Sequence, residues 1–157
     1  MKNLGHLDRR EVLVAMSAFA ALGFAAEAGA ETEPVLSQSE TFEFGKLPVK
    51  TAANGNASRD VTHGTLTTGE YVGVHETALA PGMMPHPAHR HRNSEFIMVR
   101  EGTVEFNNDG KVTRVGPGGM NFNASNVLHS MTNVGDTTAH YFVVEIGRTT
   151  GVMKVSE

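Results

Sequence analysis

The chain has 157 residues, a formal net charge of −4 with its histidines neutral, and no cysteine. Mild acidity without a basic tract argues against a nucleic-acid partner, which would demand clustered lysines and arginines. The missing thiols exclude disulfides, thiolate ligands and thiol catalysis, so stability must come from the core, a metal or an oligomer.

Residues 1–30 read as a cleavable leader. Lys2, Arg9 and Arg10 give a basic start, Val12 to Ala26 is almost wholly apolar, and Ala28-Gly29-Ala30 is a small-x-small cleavage site. Arg9-Arg10 resembles the twin-arginine pair of a bacterial export leader, a route that delivers folded proteins to the periplasm or beyond. The apolar run is short for a bilayer span, so no membrane contact is expected after cleavage. The leader carries as many basic as acidic residues, so the mature chain keeps the net charge of −4.

Residues 31–60 are expected to form an arm, with TFEFGKLPV (41–49) as an edge strand or as a segment lying on a partner subunit. Pro48 argues against a central strand. TAANGNASRD (51–60) reads as a turn-rich loop. From Val61 to the end the pattern is one of short strands and tight turns. Strands are expected over 70–80, 94–100, 103–107, 111–115, 120–124, 126–131 and 138–146. Asn108-Asp109-Gly110 is a hairpin signal, and Gly116-Pro117-Gly118-Gly119 is another tight turn. No helical period persists over three turns, so this third segment, 61–157, is an all-β domain, a sandwich or a barrel.

The segment Pro81 to Gly102, PGMMPHPAHRHRNSEFIMVREG, carries the chemistry. His89 and His91 are two apart and share a face of an extended chain, and Glu95 is in phase four residues on. Two imidazoles and a carboxylate form a transition-metal site with positions left for water or substrate. His129 in SNVLHSM is a fourth candidate if the two segments are neighbours. His75 and His86 are candidate acid–base residues beside such a centre, with Glu95 a third if it leaves the metal, and His140 is a weaker one. Arg90 and Arg92 alternate with the histidines and should point away.

On strand 94–100, Glu95, Ile97 and Val99 share the pocket face, while Phe96 and Met98 point the other way, best explained by a subunit interface and hence a homodimer. On the last strand, burying His140, Phe142, Val144 and Ile146 is the simpler assignment. Candidate cavity walls are Ile97, Val99, Met84, Phe122, Val127, Met131 and Phe142. That set holds little positive charge and suits a neutral or aromatic oxygenated small molecule.

These residues resemble the cupin superfamily. Gly82, His89, His91, Glu95 and Gly102 follow its first motif, and Pro117, Gly119, His129 and Asn133 its second, with intervals that depart from the family pattern only in turns. The resemblance implies a double-stranded β-helix, that is, a jelly-roll barrel. It also implies that His89, His91, Glu95 and His129 hold one divalent ion, with Gly102 and Gly119 in turns and Asn133 structural. Iron, manganese, nickel, copper and zinc all suit this donor set. The functional expectation is a metal-dependent enzyme of oxygenase-like type. Its alternatives are a metal-dependent isomerase or lyase, a non-catalytic binding protein and a purely structural dimer.

Overall fold

A computed structural model describes residues 33–148. The leader expected over residues 1–30 lies outside the described residues. Among the described residues ten strands form: β1 (Val35–Leu36), β2 (Lys50–Thr51), β3 (Ala57–Leu66), β4 (Tyr71–Leu79), β5 (Ser94–Glu101), β6 (Val104–Asn108), β7 (Lys111–Val115), β8 (Met120–Asn123), β9 (His129–Asn133) and β10 (Ala139–Gly147). Among the described residues no helix is long and apolar enough to cross a membrane.

The strands lie in two sheets. The larger runs β1-β3-β4-β10-β5-β8, with β2 added beside β3, and the smaller runs β7-β6-β9. β10 is central and antiparallel to both β4 and β5. The all-β expectation holds, but the closed barrel does not form. Closure needs an unbroken ladder around the sheet. Here the large sheet ends at β8, and the small sheet is a separate three-stranded ladder. Gly102 turns the chain from β5 into β6 with φ +80, and a Cβ there would come within 2.7 Å of the Ala139 Cα. Only glycine accepts both demands cheaply. The β6–β7 hairpin turns through Asp109 and Gly110, both at positive φ as a type I′ turn requires.

Alternation decides which side chains enter the space between the sheets. Leu79, Ile97, Val99, Val104, Phe106, Met131, Ala139, Tyr141 and Val143 form the buried core. The face assignment on β10 is therefore the reverse of the sequence expectation. Tyr141 and Val143 go inward, while Phe142, Val144 and Ile146 lie on the outer face, with Ile146 38% exposed. The outer row is not wasted, because Phe142 packs edge-on against Phe44 with ring centroids 6.2 Å apart. The apolar character of both rows made the wrong choice the simpler one.

The arm also differs from expectation. Residues 41–49 are not a strand: Phe44–Lys46 is a 3-10 turn, and the paired pieces are β1, parallel to β3, and β2. Phe44 lies between the guanidinium groups of Arg59 and Arg100, at 4.5 and 4.7 Å from its ring centroid. Both arginines face Glu76, which is fully buried on the outer side of the sheet and also bonded to His140 Nδ1 at 2.8 Å. A buried carboxylate is tolerable only with such partners. The loop expected to reach residue 60 is shorter, because β3 begins at Ala57.

Phe96 and Met98 do point outward, beside Phe122 and Met120, their register partners on β8. Asn133 has the structural role expected of it. It is wholly buried, its Nδ2 donates to the carbonyls of Leu79 and Thr137 at 2.8 Å each, and its Oδ1 accepts from Gly135 N.

Phe106 is 1% exposed at the centre of this core. Phe106→Ala should lower unfolding stability by about 3–5 kcal/mol through lost burial and a residual cavity, measured by urea denaturation with an unchanged slope. A loss below about 1 kcal/mol would mean that the two sheets do not stack on this ring.

Candidate metal centre

The centre is assembled by one backbone rung. His89 and His129 form an isolated antiparallel bridge, with N–H donated each way at 3.1 and 3.0 Å. Directly opposed residues place their side chains on one side, so the two imidazoles meet, with ring centroids 4.6 Å apart. His91 keeps the phase of His89, and its ring lies 4.8 Å from that of His129. One ring nitrogen from each of His89, His91 and His129 falls within 4.8 Å of the others. Nitrogens held about 2.1 Å from a shared ion lie no more than about 4.2 Å apart, so the cluster is close to coordination size and needs only slight closure.

The tautomers follow from the outer bonds. His91 Nδ1 donates to the Asn93 carbonyl at 2.7 Å, and His129 Nδ1 donates to the Val127 carbonyl at 2.9 Å. Each Nε2 then carries a bare lone pair pointing inward. His91 Nε2, His129 Nε2 and His89 Nδ1 are all buried without a hydrogen-bond partner. An orphaned buried polar atom costs about 1–3 kcal/mol, and one on each of three neighbouring rings marks a place for an electrophile. The donor set therefore fits a divalent transition ion.

Glu95 completes the set beside two of the three rings. Its Oε1 is 3.2 Å from His91 Nε2, out of hydrogen-bond alignment, and its Oε2 is 3.5 Å from His129 Nε2. Asn123 Nδ2 donates to the same Oε2 at 3.1 Å. Burial opposes the charge on Glu95, but the side chains of His129, His91 and Asn123 outweigh it and hold the carboxyl well below the usual range. The carboxylate in turn raises His91. His89 is pushed down to about 4, first by burial and then by the imidazoles of His86, His129 and His91.

The rings open onto a cavity of about 630 Å³. Its wall includes Ile97, Val143, Met131, Tyr141, His75, His86 and Glu145. Of the sequence-expected residues, His89, His91, Glu95, His129, His75 and His86 all reach this cavity. His86 sits at the exposed rim, its ring edge-on to His89 with centroids 4.0 Å apart. His140 does not reach it and is spent on Glu76. Arg90 is at the surface, 3.5 Å from the Asn126 carbonyl. Of the expected walls, Ile97 and Met131 line the cavity, whereas Phe122 and Phe142 are on the outer face with their strand phases.

Glu145 was not anticipated. It stands directly opposite Glu95 across β5 and β10, faces the cavity, and accepts from Asn93 Nδ2 at 3.4 Å. Like charges directly opposed across a sheet are unfavourable, which a cation between the strands would relieve. The signal was present in the sequence: Glu145 is in phase with Tyr141 and Val143, and assigning that row inward would have placed it in the site.

The comparisons agree on the architecture. A family model described as "Cupin domain" matches residues 75–145. A comparison with curated proteins returns no match. Among solved structures, an RmlC-like cupin from Shewanella frigidimarina aligns with TM-score 0.57 at 22% identity, covering 70% of this chain and 93% of that one. That likeness is one of fold. KdgF from a Halomonas species aligns with TM-score 0.58 at 15% identity over 69% of this chain and 94% of its own. The polyketide cyclase RemF from Streptomyces resistomycificus aligns with TM-score 0.57 at 17% identity, over 76% and 87%. At these identities the likeness concerns the cupin fold alone.

Two outcomes check the centre. Wild-type protein should take up about one equivalent of a divalent transition ion and melt at higher temperature with it, while His91→Ala and His129→Ala should each abolish the stoichiometric uptake seen by elemental analysis. Protons compete with the ion for the imidazoles. His91, raised above its ordinary 6.5, should be the first lost to protonation as pH falls, and His89 the last, near 4. Affinity measured by titration calorimetry should therefore weaken from neutral pH downward; a flat profile between pH 7.5 and 5.5 would contradict imidazole ligation.

Proposed function

We propose that this protein is a metal-dependent enzyme acting on a small neutral or aromatic oxygenated compound. His89, His91, Glu95 and His129 hold one divalent ion, and two further positions accept oxygen atoms of the ligand. The observation that carries this reading is the convergence of three imidazoles, each with a buried unpartnered nitrogen, and a carboxylate on the wall of a ligand-sized cavity. When bound, the ion supplies Lewis-acid polarisation of a ligand oxygen.

The ligand class follows from the charges. Among the described residues, Lys50 is the one lysine or arginine that lines the cavity, and it is ion-paired with Asp60. Glu95, Glu145 and Asp60 line the same space. With the divalent ion in place these charges sum to about zero, and no unpaired lysine or arginine among the described residues lines the cavity to hold an anion, so a hydroxylated or carbonyl compound without fixed charge is favoured. Ile97, Val143, Met131 and Tyr141 give it an apolar wall and exclude water beside the rings.

His75, a candidate acid–base residue from the sequence, weighs by its position against the oxygenase-like expectation. It lies on β4 opposite Asp60 and Val143, one same-face step along the strands from the row of Glu95 and Glu145. An imidazole there can take or give a proton at a ligand carbon or oxygen while Glu145 accepts a ligand hydroxyl. This favours metal-assisted isomerisation or elimination over dioxygen chemistry, with non-catalytic ligand binding as the remaining alternative.

Metal-loaded protein should convert a substrate from a panel of hydroxy-carbonyl and dihydroxy compounds without dioxygen, in deuterated water, with label appearing in the product. His75→Ala should keep the metal and lose about 10²–10⁴-fold in turnover. Turnover that consumes dioxygen stoichiometrically would restore the oxygenase reading, and ligand uptake without turnover would establish the binding one.

A further inference from the structure

Three asparagine amides run head to tail from the small sheet to the proposed carboxylate ligand. Asn108 Nδ2 donates to Asn121 Oδ1 at 2.9 Å, Asn121 Nδ2 donates to Asn123 Oδ1 at 2.7 Å, and Asn123 Nδ2 donates to Glu95 Oε2 at 3.1 Å. The direction is dictated by chemistry. An ionised carboxylate only accepts, so Asn123 must present its NH₂ to it and its carbonyl to the next amide. Each link fixes the next, and Asn123 is 2% exposed, so water offers little competition for its bonds.

The positions of the three residues give the series its use. Asn123 is the register partner of Glu95 across β5 and β8, and Asn121 is that of Ile97, so both stand on the cavity face. Asn108 belongs to the other sheet, where it is the register partner of His129 across β6 and β9. Glu95 and His129 thus sit in different sheets that no continuous backbone ladder joins. The Asn108–Asn121 bond crosses that gap. It ties the strand pair that carries His129 to the strand pair that carries Glu95.

We propose that Asn123 is a positioning residue for Glu95, and that the Asn108–Asn121–Asn123 series holds this carboxylate at ligand distance from His129 across the opening between the sheets. Asn123 occupies one side of Oε2 and fixes the carboxyl plane, leaving Oε1 beside His91. Outer groups that orient a ligand in this way govern both affinity and the electronic environment of the ion. The proposal rests on the metal-centre reading above.

The test uses Co²⁺ as the probe, because its visible absorption bands report ligand geometry independently of any enzymatic activity. Wild-type protein, Asn123→Asp and Asn108→Ala would be titrated with Co²⁺, with circular dichroism recording the fold of each. Asn123→Asp conserves volume but sets an acceptor against the Glu95 carboxylate. It should bind Co²⁺ about 10- to 100-fold more weakly than wild type, with shifted bands. The Asn108 side chain bonds to Asn121 and not to a proposed ligand, so Asn108→Ala should shift the bands in the same direction with a smaller loss of affinity. It decides the matter alone if Asn123→Asp does not fold. Folded variants with wild-type Co²⁺ affinity and bands would overturn the positioning role while leaving the metal reading intact. Failure of wild-type protein itself to bind Co²⁺ would overturn the metal reading and the positioning role together.

Discussion

The constraint on which the structure depends is electrostatic. Three imidazoles, each with a buried and unpaired nitrogen that could have been solvated in the unfolded chain, are brought together, two of them beside a part-buried carboxylate. Such an arrangement opposes folding unless something binds there or the rest of the molecule compensates. The compensation visible in the chain is distributed. Carbonyls of Asn93 and Val127 take the outer nitrogens, Asn123 takes one carboxylate oxygen, and the two-way backbone rung between His89 and His129 fixes the approach of the two segments. The apolar core directly beneath, from Phe106 to Tyr141, supplies the burial that keeps the sheets stacked.

Much of the site was legible in the sequence because its signals are local. A spacing of two between His89 and His91 places both side chains on one face of any extended backbone. The hairpin at Asp109-Gly110 was likewise readable, since the residues that tolerate positive φ are few. What failed was whatever depended on choosing between two equally apolar faces. On β10 both rows could have been core, and the row that goes inward is the one that ends in a carboxylate, Glu145, on the cavity wall.

The closed barrel failed for a different reason. Strand count and turn spacing establish that short antiparallel strands are present, but closure depends on hydrogen bonds between strands remote in sequence, and no local pattern encodes those. The arm was misread similarly. TFEFGKLPV alternates weakly, yet Phe44 is fixed by two guanidinium groups that belong to β3 and β5. Its partners lie in other parts of the chain, so alternation within the segment could not reveal its role.

The rung between His89 and His129 joins residues forty positions apart. Closing so long a stretch of chain is entropically unfavourable until much of the intervening structure has formed. The nitrogen cluster therefore comes into being late on the folding path. A nascent or half-assembled polypeptide has only the local run of His86, His89 and His91, without His129 beside it. The complete donor set exists only once, and only where, the last strands have docked.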